Sequence, residues 1–137
     1  MTQRMGSEAV RIERPDEAPR VCQDAFNSGY LDGLVNLFEP EAVLSLGPNE
    51  VITGSDKIRE VFAGFLEAGW RWEIKLISHH RVGDIALNTV EHTLRKNSSD
   101  GDTDTLRLRA AVVFRQQEDG SWRFLIDNAA PFEQLDS

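Results

Sequence analysis

The side chains best suited to chemistry in this chain are Cys22, the histidines His79, His80 and His92, and a set of carboxylates in which Asp100, Asp102 and Asp104 recur at every second position. That aspartate spacing is the one a calcium loop uses. The twelfth position of such a loop would be Ala111, where a bidentate glutamate belongs, and the segment leads into a strand, so it reads as a solvated hairpin loop. His79 and His80 are adjacent on an extended segment and point to opposite faces, and His92 has no cysteine or histidine at ligand spacing. We therefore expect no metal site and no cofactor, and read the three histidines as surface or interface residues. No Ser-His-Asp order, glycine-rich phosphate loop or dinucleotide fingerprint is present. Two carboxylates on strand-like segments remain, Glu91 and Asp127. What they can do depends on which way their strands face.

Charge and length limit the partners. The 137 residues make one domain, and 15 Lys and Arg against 23 Asp and Glu leave a net charge of −8 with the basic residues scattered, which argues against nucleic acid. No apolar run approaches the roughly 20 residues of a membrane helix, and no signal-peptide core opens the chain, so a cytoplasmic protein without membrane contact is expected. Cys22, the one cysteine, permits no internal disulfide. Without a secretory signal, the glycosylation pattern at Asn97-Ser98-Ser99 reads as chance.

The elements that must position Glu91 and Asp127 follow from periodicity. Residues 1–14 are polar and aperiodic and read as a flexible tail, with a single domain over 15–137. Pro15-Asp-Glu opens a helix whose apolar positions are Val21, Cys22, Ala25 and Phe26, and Leu31, Leu34, Val35 and Phe38 form a second helix that Pro40 closes. Val43 to Leu46 reads as a short strand ending at the turn Gly47-Pro48-Asn49. Ser55 looks like an N-cap for the clearest helix, in which Ile58, Val61, Phe62, Phe65 and Leu66 share one face up to Gly69. From Trp70 onward every segment alternates as a strand does. The last two, 106–115 and 122–128, are joined by Asp119-Gly120, a pair that accepts the positive φ of a tight turn. Helices followed by antiparallel strands predict an α+β domain with its helices on one face of the sheet.

Ala25-Phe26-Asn27-Ser28-Gly29-Tyr30-Leu31-Asp32-Gly33-Leu34-Val35-Asn36-Leu37-Phe38 and Glu41-Ala42-Val43 resemble the opening of the nuclear transport factor 2-like superfamily. Thr53-Gly54 before Ile58-Arg59-Glu60-Val61-Phe62, and Gly120-Ser121-Trp122-Arg123 before Asp127-Asn128, extend the resemblance over about residues 16 to 130. It looks most like the SnoaL-like branch, which includes polyketide cyclases and ketosteroid isomerases. The resemblance implies a cone-shaped domain, a strongly curved sheet wrapped around a long helix, an apolar pocket in the cone's mouth and a homodimer through the sheet. Tyr30 departs from the pattern, which usually has an Asp capping the second helix. Set beside ketosteroid isomerases, the oxyanion Tyr falls on Cys22, the general base on Leu46 and the protonated Asp on Val112. None can do that chemistry, so this activity is rejected.

The same resemblance supplies an orientation. If Val112 faces the pocket, alternation also brings Leu106, Leu108, Ala110 and Phe114 inward and sends Arg107, Arg109 and Arg115 out. On the neighbouring strand it places Leu87, Thr89, Glu91 and Thr93 inward, with Asn88 and His92 outward. On the last strand it places Leu125, Asp127 and Ala129 inward, although a bulge would exchange Asp127 for Asn128. The expected pocket then has Glu91 and Asp127 as its acids, among Cys22, Leu46, Phe62, Trp72, Thr89, Leu108, Val112, Phe114 and Asn128. A carboxylate among such neighbours is prepared for acid/base work. Cys22 should stay protonated and pack. Three functions remain open: binding of a small, largely apolar molecule, an acid/base enzyme (cyclase, isomerase or hydrolase) using Glu91 and Asp127, or a dimeric interaction module with a vestigial pocket. A one-residue error of register would exchange Glu91 for His92.

Overall fold

The computed structural model describes residues 10–47 and 49–129; the outer part of the expected tail, Pro48 and residues 130–137 lie outside them. A single 3-10 turn, Pro15–Glu17, leads into α1 (Ala18–Asn27), and α2 (Leu31–Val35) follows after Gly29. Then come β1 (Phe38–Gly47), β2 (Glu50–Thr53), α3 (Ser55–Glu67), β3 (Arg71–Val82), β4 (Ile85–Asn97), β5 (Thr103–Gln116) and β6 (Trp122–Asn128). One six-stranded sheet runs β2-β1-β6-β5-β4-β3. It is strongly curved, antiparallel except where β1 runs parallel to β6, and stays open rather than closing into a barrel. Register shifts at four places, after Ser45 where β1 meets β2, between Phe38 and Val43 where β1 meets β6, after Leu76 and opposite Val113, bend the strands, since an extra residue in one strand increases its local twist.

The helices fill the concavity by burying one face each. α1 contributes Ala18, Cys22, Ala25 and Phe26, and α3 contributes Ile58 and Phe62. Helix α1 is also tied to the free edge of β3. The Asn27 amide donates to the Trp72 carbonyl at 2.8 Å and accepts the Trp72 N–H at 2.9 Å, while Gln23 accepts the Ile74 N–H at 3.0 Å. These bonds satisfy backbone groups that an edge strand would otherwise offer to another chain.

Several local expectations change. The second helix stops at Val35, and Phe38 to Pro40 already belong to β1, where Phe38 stacks on Phe124 with ring centroids 4.3 Å apart. A neighbouring strand overrides weak helical periodicity there. Tyr30 precedes α2 without capping it through its side chain, which matches that helix being only five residues long. The residue before α3 is Gly54 at φ 98°, so Ser55 is the first helical residue rather than its N-cap. β2 adds a strand to those expected, over the β-branched run Val51-Ile52-Thr53. The polar tail ends earlier than Arg14, because Ile12 is fully buried, bridges to β6 and accepts the Trp122 N–H at 2.9 Å. The Asp119-Gly120 turn is as expected: Gly120 has φ 89°, and the Asp119 carboxylate accepts from Ser121 N–H and Oγ–H at 2.9 and 2.6 Å. In the loop after β4, Asp100 accepts from Ser98 Oγ–H and from the Asp102 N–H. No described helix is long and apolar enough to cross a membrane.

Candidate functional site

The pocket is built by the pairing of β4 with β5. Asn88 lies opposite Val112, Val90 opposite Ala110, His92 opposite Leu108 and Leu94 opposite Leu106, so even-numbered residues share the concave face on both strands. Val112, Leu106, Leu108, Ala110 and Phe114 therefore face inward as expected, but the expectation for β4 is off by one. Glu91 lies on the convex face between Lys75 and Arg109, Thr89 lies there opposite Ala111, and His92 and Asn88 are buried inside. The physical reason is the loop. Asn97 pairs with Thr103, leaving residues 98–102 to make the turn, and a loop one residue longer or shorter would have presented the other face. A signal was present, since the even positions Ala86, Val90 and Leu94 are apolar along the strand whereas the large apolar side chains of the odd face, Ile85 and Leu87, are confined to its first residues and polar ones follow.

On β6 a bulge does occur, but it falls earlier than Asp127. Val113 pairs with Ile126 and Phe114 with Phe124, so Leu125 is the extra residue and Phe124 points inward in its place. Beyond it, Asp127 sits between Val112 and Leu44 on the concave face, and Asn128 sits between Ala111 and Ser45 on the convex face.

Asp127 and His92 border two adjoining cavities, together with Trp72. The larger, of about 70 Å³, is walled by Leu44 and Leu46 of β1, Val61, Phe62 and Phe65 of α3, and Leu106 and Leu108 of β5. The smaller, of about 10 Å³, lies against Cys22, Asn88, Val112 and Phe114. Of the expected lining residues, Leu46, Phe62, Trp72 and Leu108 border the first and Cys22, Val112 and Phe114 the second; Thr89, Asn128 and Glu91 are on the other side of the sheet. Asn88 is occupied structurally. Its amide donates to the Pro15 carbonyl at 2.9 Å, and its oxygen is 2.8 Å from His79 Nδ1.

The electrostatics follow from burial. Asp127 is 5% exposed, and loss of water raises its carboxyl to a pKa of about 7. Burial lowers His92 to about 4, so its ring is neutral at physiological pH. The Trp72 indole N–H donates to His92 Nδ1 at 2.9 Å. Burial, and then the nearby Asp127 carboxylate, push the Cys22 thiol well above its usual range, so it stays protonated. Among the described residues no hydrogen bond or ion pair joins His92 to Asp127, and no group of His, Cys, Asp and Glu is arranged to hold a metal ion. Two titratable side chains thus face one apolar space without neutralising each other.

The family model for the SnoaL-like domain matches residues 20–124. No curated protein sequence matches the chain. Among solved structures, a protein from Xanthomonas campestris named for the calcium/calmodulin-dependent protein kinase II association domain superposes with a TM-score of 0.73 at 17% identity, covering 89% of this chain and 86% of the other. A ketosteroid isomerase-like protein from Erwinia carotovora atroseptica gives 0.66 at 18% identity, with 81% and 88% covered. A protein from Streptomyces avermitilis named as a dehydratase of the NTF2-like family gives 0.65 at 19%, with 79% and 86% covered. At such identities the likeness concerns the fold.

Proposed function

The chain belongs to the SnoaL-like domain family, and from that premise we propose that its concave pocket takes a small, largely apolar molecule with which Asp127 exchanges a proton. The observation that carries this reading is the Asp127 carboxyl, buried among apolar side chains with no hydrogen-bond partner among the described residues. Burying such a group costs free energy, and a fold under no functional demand gains more from an apolar side chain there. A carboxyl titrating near 7 is matched to proton transfer at neutral pH. Ketosteroid isomerisation is not the reading, because Leu46 and Val112 carry no carboxyl and Cys22 no phenol. A cavity of about 70 Å³ is also well below the roughly 300–1,000 Å³ of pockets for drug-sized ligands and below the roughly 150 Å³ that holds benzene, so a molecule of about one ring is the largest to expect and enters only as the side chains around the cavity move apart. Exchange of the α-protons of cyclohexanone for deuterium, followed by proton NMR near neutral pH, tests the transfer. The wild type should exceed the buffer rate, and Asp127→Asn should lose at least about 100-fold of that excess. Equal rates for the two proteins would leave binding without proton transfer.

The convex face carries a second part of the proposal, a homodimer. Leu87 and Ile126 are each 40% exposed and flank Val113 in one row across β4, β5 and β6. A charged row, Lys75, Glu91 and Arg109, lies on the same face beyond the row of Thr89, Ala111 and Asn128, and Arg109 Nε is buried without a hydrogen-bond partner among the described residues. A second copy packed face to face would cover the apolar row and offer Glu91 to Arg109. Such an interface should bury on the order of 1,200 Å² or more. Light scattering at micromolar concentration should report a dimer, and Leu87→Asp a monomer; a monomeric wild type would refute the interface.

A further inference from the structure

Resting on the reading of the pocket as a small-molecule site, we infer that its ligand is a neutral molecule presenting a carbonyl-type oxygen, and that Trp72 selects it by locking His92 as a hydrogen-bond donor. The lock follows from the contact between the two rings. An indole N–H can only donate, so the imidazole nitrogen 2.9 Å away, Nδ1, must accept. A neutral imidazole accepting at Nδ1 carries its proton on Nε2. Protonating Nδ1 would set two N–H groups against each other, which reinforces the effect of burial in keeping the ring uncharged. The ring borders the cavity and Nε2 bonds to no other described residue, so its proton is the polar contact offered to a ligand.

The remaining surroundings reject charge. The titratable groups bordering the cavities are Cys22 from α1, His92 from β4 and Asp127 from β6, and what α3, β1, β3 and β5 contribute is apolar or aromatic. No Lys or Arg reaches this space, so an anion would be buried without a counter-charge. An ammonium would oppose its own N–H to the N–H of His92, and Asp127 could pair with it only by ionising against the burial that raises its pKa to about 7. A ketone, aldehyde or ester oxygen accepts from Nε2–H, and from the Asp127 carboxyl as well when that group is protonated.

Two measurements on the intact protein test this. Nitrogen-15 NMR of histidine-labelled protein should show His92 as the neutral Nε2–H form at neutral pH, and in Trp72→Phe a mixed-tautomer ring titrating closer to 6.5. Cyclohexanone and methylcyclohexane serve as probes of the pocket: Trp72→Phe should weaken cyclohexanone at least about fivefold and leave methylcyclohexane within about twofold. His92→Phe carries the same comparison if Trp72→Phe does not fold. A wild-type ring protonated on Nδ1, or equal losses for both probes, overturns the inference while leaving the pocket intact. If neither probe binds the wild type, the pocket reading itself fails and the ligand class with it, and the tautomer still decides the role of Trp72.

Discussion

Asp127→Asn should become progressively more stable relative to the wild type as pH rises, by about 4 kcal/mol between pH 4 and pH 8. Asp127 has its folded-state pKa raised from 3.8 to about 7, so the folded protein holds this proton more tightly than the unfolded chain. Stability from this group is complete below about pH 4 and is lost as pH rises to about 7. His92 runs the other way. Its folded pKa is lowered from 6.5 to about 4, so its contribution is complete above 6.5 and is lost as pH falls towards 4. In the wild type the two slopes oppose each other between about pH 4 and 6.5. In the asparagine variant only the His92 slope survives, and stability should climb by about 3 kcal/mol across that window. Urea unfolding at several pH values measures both proteins, and the comparison is insensitive to how well the new amide packs, because that cost does not depend on pH. A difference that stays constant with pH would show that Asp127 is not desolvated.

Phe38→Ala should cost about 3–5 kcal/mol in the same assay, the usual range for truncating a buried aromatic side chain. Phe38 is 2% exposed, lies 4.3 Å from the ring of Phe124 and 5.7 Å from that of Phe62, and so joins β1 to β6 and to α3 beneath the pocket. Phe62 walls the larger cavity and Phe124 the smaller. Removal of the ring should therefore open space under the pocket floor as well as weaken the fold. The variant should bind a larger ketone such as camphor more tightly, relative to cyclohexanone, than the wild type does. A loss of stability below about 1 kcal/mol would mean that the site collapses around the gap, and the size preference should then stay unchanged.

Much of this protein was determined by residues close to one another in the chain. The repeat of Ile58, Val61, Phe62 and Phe65 describes α3 without reference to any other element, and Asp119-Gly120 specifies the β5–β6 turn through its own φ preference and side-chain bonds. Alternation from one oriented position, Val112, correctly turned Leu108 and Phe114 inward, and Asp127 stayed inside because the bulge precedes it at Leu125. Tertiary structure decided the rest. The face shown by β4 depends on how many residues the 98–102 loop absorbs before pairing with β5 begins, so His92 is inside and Glu91 outside by a margin of one residue. Ile12 becomes core because a strand lies beside it, and Phe38 becomes a strand residue because β6 is available to pair with. The Trp72 to His92 bond joins residues that sit on adjacent strands only after β3 and β4 have found their register. Local propensity is worth tenths of a kcal/mol per residue, whereas burial and pairing are worth whole ones, so non-local contacts prevail wherever the two disagree.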